Sequence, residues 1–319
     1  MELLAGTYTR GTDSDGIYRF DFNPESGALS APEHLIKCDN PSWLRRWESG
    51  LIAVNEHCDA NGEGEICVFQ AVGAGYREIQ RLRSGGGDPC HLALFADRLA
   101  VANYSGGTVA LFEWGSGRIG RQVALFRPEK TGRHPRQDSP HPHGVYFFAD
   151  ELRVPDLGGD CIYCLDARSG VLIGRTDIHA DAGPRHLSAD GGYLVNELDN
   201  TVVSLAEASA GVSVSTLPSS FEGESSTAEI QLQGGVLYVS NRGHDSIAVI
   251  ETKPALAVVQ HRASGGRHPR HILIAPDGRH LLAANRDSDN IVSIRISPDG
   301  TLAEVVAETA CPAPVHLLF

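Results

Sequence analysis

The string HPRQDSPHPHG, residues 134–144, places three histidines in eleven positions. Elsewhere GPRH carries Arg185 and His186, NELDN carries Glu197, and AEIQ carries Glu229. SNRG carries Arg242, HPRH carries Arg270 and AANRD carries Arg286. Imidazole and carboxylate side chains are the usual proton carriers of general acid–base chemistry. Guanidinium presents a planar fork of donors that fits carboxylate, phosphate or a developing oxyanion. Together these groups are the parts of a site that moves protons on a small anion. The histidine-rich string also admits a metal site or a solvated loop, and its local spacing does not choose among the three.

Several chemistries are excluded or disfavoured. No GxSxG elbow presents a serine nucleophile, and no CxxCH attaches haem. The pair Cys161 and Cys164 in CIYC lies in an alternating run. Positions three apart face opposite sides of a strand, so the pair reads as strand filling, and no second Cys/His pair has zinc-ligand spacing. No metal and no cofactor is expected. The formal net charge of −13 argues against nucleic-acid or membrane-surface partners, both of which need a basic face. No apolar stretch approaches a membrane span, and the N-terminus shows no signal-peptide pattern. Seven cysteines at irregular spacing suit a reducing compartment, so a cytoplasmic location is expected. The oligomeric state is not legible.

The elements that must position these residues are strands. IYRFDF, EICVFQ, TVALFEW, CIYCLD, TVVSLAE, SIAVIE and IVSIRI alternate apolar and polar residues between Gly, Asp and Asn turns, the pattern of half-buried strands. A second element recurs: PSWL, PCHL, PHGV, PRHL, AEIQ, PRHI and PVHL begin at residues 41, 89, 142, 184, 228, 269 and 314. Most are followed by a strand ending in AVNEH, VANYS, VPDLG, VNELD, VSNRG or AANRD. A period near 45 residues with several strands per unit predicts a β-propeller. Six repeats lie between residues 41 and 313. PVHLLF at the C-terminus, with LLAGTY, GIYRFDF and ALSAPEHL at the N-terminus, completes a seventh blade, which leaves no open edge. The expected fold is therefore all-β, one seven-bladed propeller domain over residues 1–319, closed by both chain ends.

In such a blade the first two strands run antiparallel. The start of the first and the end of the second then share one face, near a central channel. This gives two rings of equivalent positions. One holds Ser42, Cys90, His143, Arg185, Glu229, Arg270 and Val315; the other holds Tyr8, Glu56, Tyr104, Asp156, Glu197, Arg242 and Arg286. The scaffold repeats while these positions vary toward charge, which points to a site. His143 falls on the first ring, so it is read as a site residue with His141 as a helper and His134 in solvent. The neighbouring arginines repel a cation and cannot ligate it, which counts against a metal. The stretch 127–140 lies in the longest repeat and reads as an insertion over the channel mouth; long loops on rigid scaffolds often carry function.

GPRHLS, VNELDN, AEIQLQ, VSNRGHDSI, HPRHILIAPDGRHLL and AANRDSDNI, with GTYT near the start and PVHLLF at the end, resemble the lactonase family of seven-bladed propellers over essentially the whole chain. The resemblance implies hydrolysis of 6-phosphogluconolactone in the pentose phosphate route, without a required metal. The family also includes a fungal 3-carboxymuconate lactonizing enzyme with a His, two Arg and a Glu in its proposed site. Matching motifs carry these onto His143, Arg185, Glu197 and Arg242. A lactonizing isomerase therefore stands as an alternative, and a non-catalytic binding propeller as another.

For a lactonase, Glu197 and His143 share the base and acid tasks, and Arg185 and Arg242 stabilise the tetrahedral anion. Arg270 and Arg286, with His186, Glu229 and His141, are candidates for substrate binding. His186, His271 and His316 equally suit the core, Glu229 equally suits an ion pair, and Asp156 and Asp245 are expected to hold turn amides.

Overall fold

The computed structural model describes residues 1–205 and 213–319. The last two residues of the TVVSLAE run lie outside the described residues. Seven four-stranded antiparallel sheets form, and the fold is the seven-bladed β-propeller that the repeat predicts. The chain divides into two compact units, residues 38–185 and residues 1–37 with 186–319.

Residues 38–185 hold three blades. The first is built from Trp43–Trp47, Gly50–Asn55, Glu65–Val72 and Gly75–Arg83. The second comprises Pro89–Phe95, Arg98–Asn103, Thr108–Gly115 and Arg118–Phe126. The third comprises Tyr146–Phe148, Glu151–Asp156, Cys161–Asp166 and Leu172–Asp177. Their middle strands carry the alternating apolar residues. Ile52, Val54, Ile66 and Val68 meet Leu99, Val101, Ala110 and Phe112 in one cluster. Ala100, Ala102, Val109 and Leu111 meet Leu152, Val154, Cys161 and Tyr163 in the next. Both faces of each middle strand are buried, so these runs are apolar almost throughout and not the half-buried alternation expected, because each blade packs on a neighbour at either face.

A fourth blade begins at Pro184–Leu187, whose first two residues close the unit 38–185, and continues in the other unit through Tyr193–Asn196 and Thr201–Ser204 to Ser213–Ser215. The fifth and sixth begin with Ser226–Gln233 and Pro269–Ile274, followed by Val236–Arg242 and His280–Asn285. The closing blade orders Pro314–Leu318 beside Glu2–Thr7, then Gly16–Asp21 and Glu33–Lys37. Leu4 pairs with Leu318 and Gly6 with His316, so the two chain ends share one sheet. Its outer strand begins at Glu33. The ALS portion of the expected ALSAPEHL strand instead turns back, with only Leu29 bridging to Phe22.

Two local devices set the site positions. The second strands of four blades end at a buried asparagine, Asn55, Asn103, Asn196 and Asn285, and that of a fifth carries Asn241 one residue before its end. Asn103 donates to Ser84 O and Thr108 Oγ1, and Asn241 donates to Thr216 O and Ser246 Oγ. The amide thus satisfies the backbone where the chain leaves the sheet, and the next residue, Glu56, Tyr104, Glu197, Arg242 or Arg286, is delivered at a fixed place. The second device is a β-bulge at the start of the first strand. The register slips between Pro89 and His91, between Pro269 and His271, and between Thr227 and Ile230. The closing blade slips likewise opposite Gly6 and Thr7. Cys90, Arg270, Glu229 and Val315 are the displaced residues, and a bulge re-aims the side chain it displaces.

Candidate active site

The His143 cluster belongs to residues 38–185. His143 sits in the segment that enters the third blade, before its first strand; its amide donates to Pro155 O at 2.9 Å and Pro142 bridges to Asp156. Arg185 lies in Pro184–Leu187. Both side chains are buried. Arg185 Nη1 lies 2.5 Å from His143 Nε2. Tyr104 meets the His143 ring edge-on at 5.3 Å between centroids, and Cys90 Sγ lies 3.9 Å from His143 Nδ1.

Tyr104, which the sequence marks only as a ring position, is the hub of this cluster. His141 stacks on it at 4.4 Å with the planes 14° apart, and His141 Nδ1 lies 3.0 Å from Tyr104 O. Arg136 Nη2 donates to the Tyr104 hydroxyl at 3.0 Å. His141 is thus a wall of the site, one ring away from His143.

The 127–140 insertion is pinned. Pro135–Gln137 forms a single 3-10 turn capped by His134, whose Nδ1 accepts from Arg136 N. His134 is therefore a cap, and not the freely solvated group expected. Gln137 is fully buried, and its Nε2 donates to Leu157 O at 2.8 Å and Asp160 Oδ1 at 2.7 Å. Gln137→Ala removes both bonds and leaves two buried acceptors short of a donor, so it should cost about 1–3 kcal/mol; urea unfolding of the variant measures this.

Asp156 does what the turn reading expects. Its Oδ1 accepts from His141 N at 2.6 Å and Gly158 N at 3.1 Å. A Cβ on Gly159 would stand 2.8 Å from Asp156 Oδ2, so the turn needs glycine there. Burial pushes the Asp156 carboxyl up to about 7, against the lowering effect of the His141, Gly158 and Gly159 amides. A carboxyl raised above its unfolded value binds its proton more tightly when folded. The stabilisation is complete below about pH 4 and is lost as pH rises to about 7, at up to about 1.4 kcal/mol per pH unit. Asp156→Asn keeps the Oδ1 acceptor and has no charge to bury. The variant should therefore gain on the wild type between pH 4 and 8 in denaturant titrations; equal slopes would contradict the assignment.

The Glu197 cluster belongs to the other unit. Arg242 Nη2 lies 3.0 Å from Glu197 Oε2, and both side chains are buried. The same Nη2 donates to Thr227 O at 2.6 Å. A guanidinium at this range favours the ionised carboxylate. Arg270 lies over the Tyr8 ring at 5.0 Å, and Arg286 forks onto Asp287 through Nε and Nη2. His268, which the sequence did not single out, lies in the fields of all three guanidiniums. Burial, then Arg242 and Arg286, with Arg270 adding to them against Asp287, press its imidazole down to about 3. Arg242, Arg270 and Arg286 thus form a local positive field within an acidic chain.

His186 and Glu229 meet each other inside a buried group of histidines. His186 Nδ1 lies 3.0 Å from Glu229 Oε2, and His271 Nε2 lies 3.6 Å from the same oxygen. His271 and His316 pack at 4.5 Å, and all four side chains are buried. His271 Nδ1 accepts from Leu317 N at 3.3 Å. The other unit repeats this last contact, with His91 Nδ1 accepting from Val145 N at 3.3 Å. Imidazoles at this repeat position therefore tie the first strands of neighbouring blades together. His186 and Glu229 thus hold each other within this buried group of their own unit. Among the described residues no three His, Cys, Asp or Glu side chains converge as a metal-ligand set, and no helix is long and apolar enough to cross a membrane.

Fold and motif set together define a class, and the comparisons agree with it: residues 2–319 match the family described as "Lactonase, 7-bladed beta-propeller". The chain belongs to this lactonase family. Among its relatives is the 6-phosphogluconolactonase of Bacillus subtilis, 32% identical, with 98% of this chain and 97% of the relative covered. Among solved structures, the periplasmic gluconolactonase of Pseudomonas aeruginosa superposes with a TM-score of 0.89 at 27% identity, covering 99% and 98% of the two chains. A protein from Lactobacillus plantarum superposes with a TM-score of 0.88 at 26% identity over 99% and 98%.

Proposed function

We propose that this protein hydrolyses 6-phosphogluconolactone to 6-phosphogluconate as a single catalytic domain, in the cytoplasm and within the pentose phosphate route. The supporting observation is the grouping of Arg242, Arg270 and Arg286 around His268, with Glu197 and Asp287 as counter-charges of the first and last and Arg270 over the Tyr8 ring, in a chain of net charge −13. Such a field suits a phosphorylated sugar better than a neutral one. The family membership and the named relatives support the reaction class.

In this reading Glu197, kept ionised by Arg242, takes a proton from water as the water oxygen bonds to the lactone carbonyl carbon. The carbonyl oxygen becomes an anion, and Arg185 donates to it. Collapse of that intermediate restores the C=O and breaks the ring C–O bond, and the departing oxygen takes a proton from His143. The test is a lactone panel read by proton release. 6-Phosphogluconolactone should open well above its spontaneous rate and faster than the unphosphorylated lactone. Equal rates for the two would remove the phosphate from the assignment, no acceleration of any lactone would remove hydrolysis, and turnover of 3-carboxymuconate without added water would establish the isomerase instead.

A further inference from the structure

Arg185 and His143 constrain each other's chemistry more tightly than their identities suggest. A guanidinium carries only donors and stays protonated in proteins. The contact from Arg185 Nη1 to His143 Nε2 therefore requires a lone pair on Nε2. His143 in this state is the neutral imidazole with its proton on Nδ1, the nitrogen that faces Cys90 Sγ. The groups around it within residues 38–185 are Arg185 from the fourth blade's first strand, Cys90 from the second blade's first strand and Tyr104 at the end of the second blade's second strand. His141 lies one ring further out, behind Tyr104. Arg185 is the cation in contact with Nε2, and a cation at hydrogen-bond distance opposes protonation of the ring; Arg136 lies further out, on the Tyr104 hydroxyl.

A general acid must carry the proton it gives away, and this resting state has none on Nε2. We infer that Arg185 is a cover on His143 that the substrate removes: the lactone carbonyl oxygen, on which the anion later develops, draws the guanidinium off Nε2, and His143 then takes up a proton there and becomes the acid for the departing ring oxygen. Arg185 exchanges an imidazole acceptor for the oxygen on which negative charge develops, where its hydrogen bond becomes the stronger of the two; the carboxylate of the product presents that charged oxygen at rest. The loss of that donor from Nε2 removes both the block on the lone pair and the nearby positive charge. The proton comes from solvent before the chemical step, and hydrolysis returns it to the ring oxygen, so the cycle balances. This inference rests on the lactonase reading above for the step in which the proton is used. The cover itself is a property of the ligand-free protein.

Two measurements on the full chain separate those levels. Histidine-15N NMR, with His143 assigned through H143Q, should show a neutral, Nδ1-protonated ring at neutral pH in the ligand-free wild type. In Arg185→Met the same ring should take up its proton at a higher pH than in the wild type; Arg185→Lys, which keeps the charge and loses the fork, should lie between them and covers the case that the Met variant does not fold. A ligand-free ring protonated on Nε2, or the same titration in wild type and variants, would overturn the cover. Calorimetry with 6-phosphogluconate in two buffers of different ionisation heat then counts protons. Uptake of about one proton per bound ligand in wild type, lost in H143Q, is the expected result. Binding without uptake would overturn the substrate-driven step. Absence of binding would count against the phosphogluconate reading, and the ligand-free titrations would still decide the cover.

Discussion

Glu197→Gln should lower kcat by about 10²–10⁴-fold, the range in which general acid–base groups act, while KM changes little. The substitution keeps the side chain's shape and leaves an amide oxygen for Arg242 Nη2, which lies 3.0 Å from the native carboxylate. It removes the proton acceptor. The substrate anion is held by Arg270 and Arg286 in this reading, so binding should survive. Thermal unfolding of the same variant supplies the control. If Glu197 serves only as the counter-ion of Arg242, its loss should show chiefly as a lower Tm with near-normal kcat, and that result would take Glu197 out of the mechanism.

The largest loss of stability should come from Arg242→Ala. Removing one partner of a buried ion pair strands the other, at about 3–5 kcal/mol. Here the group that loses its Arg242 partner is the Glu197 carboxylate, 2% exposed. The guanidinium also donates to Thr227 O at 2.6 Å, and that carbonyl loses a partner as well. Glu197→Gln/Arg242→Met leaves no charge behind, so it should recover a large part of the stability lost in Arg242→Ala. Denaturant midpoints of the three variants measure this. His268 provides an independent readout, because Arg242 is the leading charge among those that press its imidazole down to about 3. In Arg242→Ala its titration should move upward, toward the ordinary histidine range. An unmoved His268 would mean that the three arginines do not share one field.

The two kinds of prediction depend on different levels of the molecule. The effect on Glu197 follows from residue type and repeat position. The effect on Arg242 follows from burial and from the carbonyl of Thr227 on the adjoining strand, which only packing brings to the guanidinium. The covering of His143 by Arg185 is of the second kind too.

Much of the fold was legible in the amino-acid order because a propeller repeats locally. Alternation in IYRFDF or SIAVIE marks strands, and recurrence of Asn-Glu, Asn-Tyr and Asn-Arg after the second strands marks blade ends. That same recurrence located Glu197, Arg242 and Arg286, since each follows a buried asparagine that fixes the turn. The pairing of both chain ends was legible as well, because two incomplete repeats sum to one blade. The tertiary structure alone decided what each polar side chain meets. A bulge between Pro269 and His271 displaces Arg270, and a register slip of this kind leaves no mark in an alternating pattern. Histidines at one repeat position became interblade ties: His271 accepts from Leu317, forty-six residues away. Gln137 became a buried anchor through Leu157 and Asp160, although its own segment is polar and reads as solvated. Periodicity records which face of a strand is apolar. It carries no record of which donor on another blade satisfies a buried acceptor, and that pairing is made by the packing of the blades.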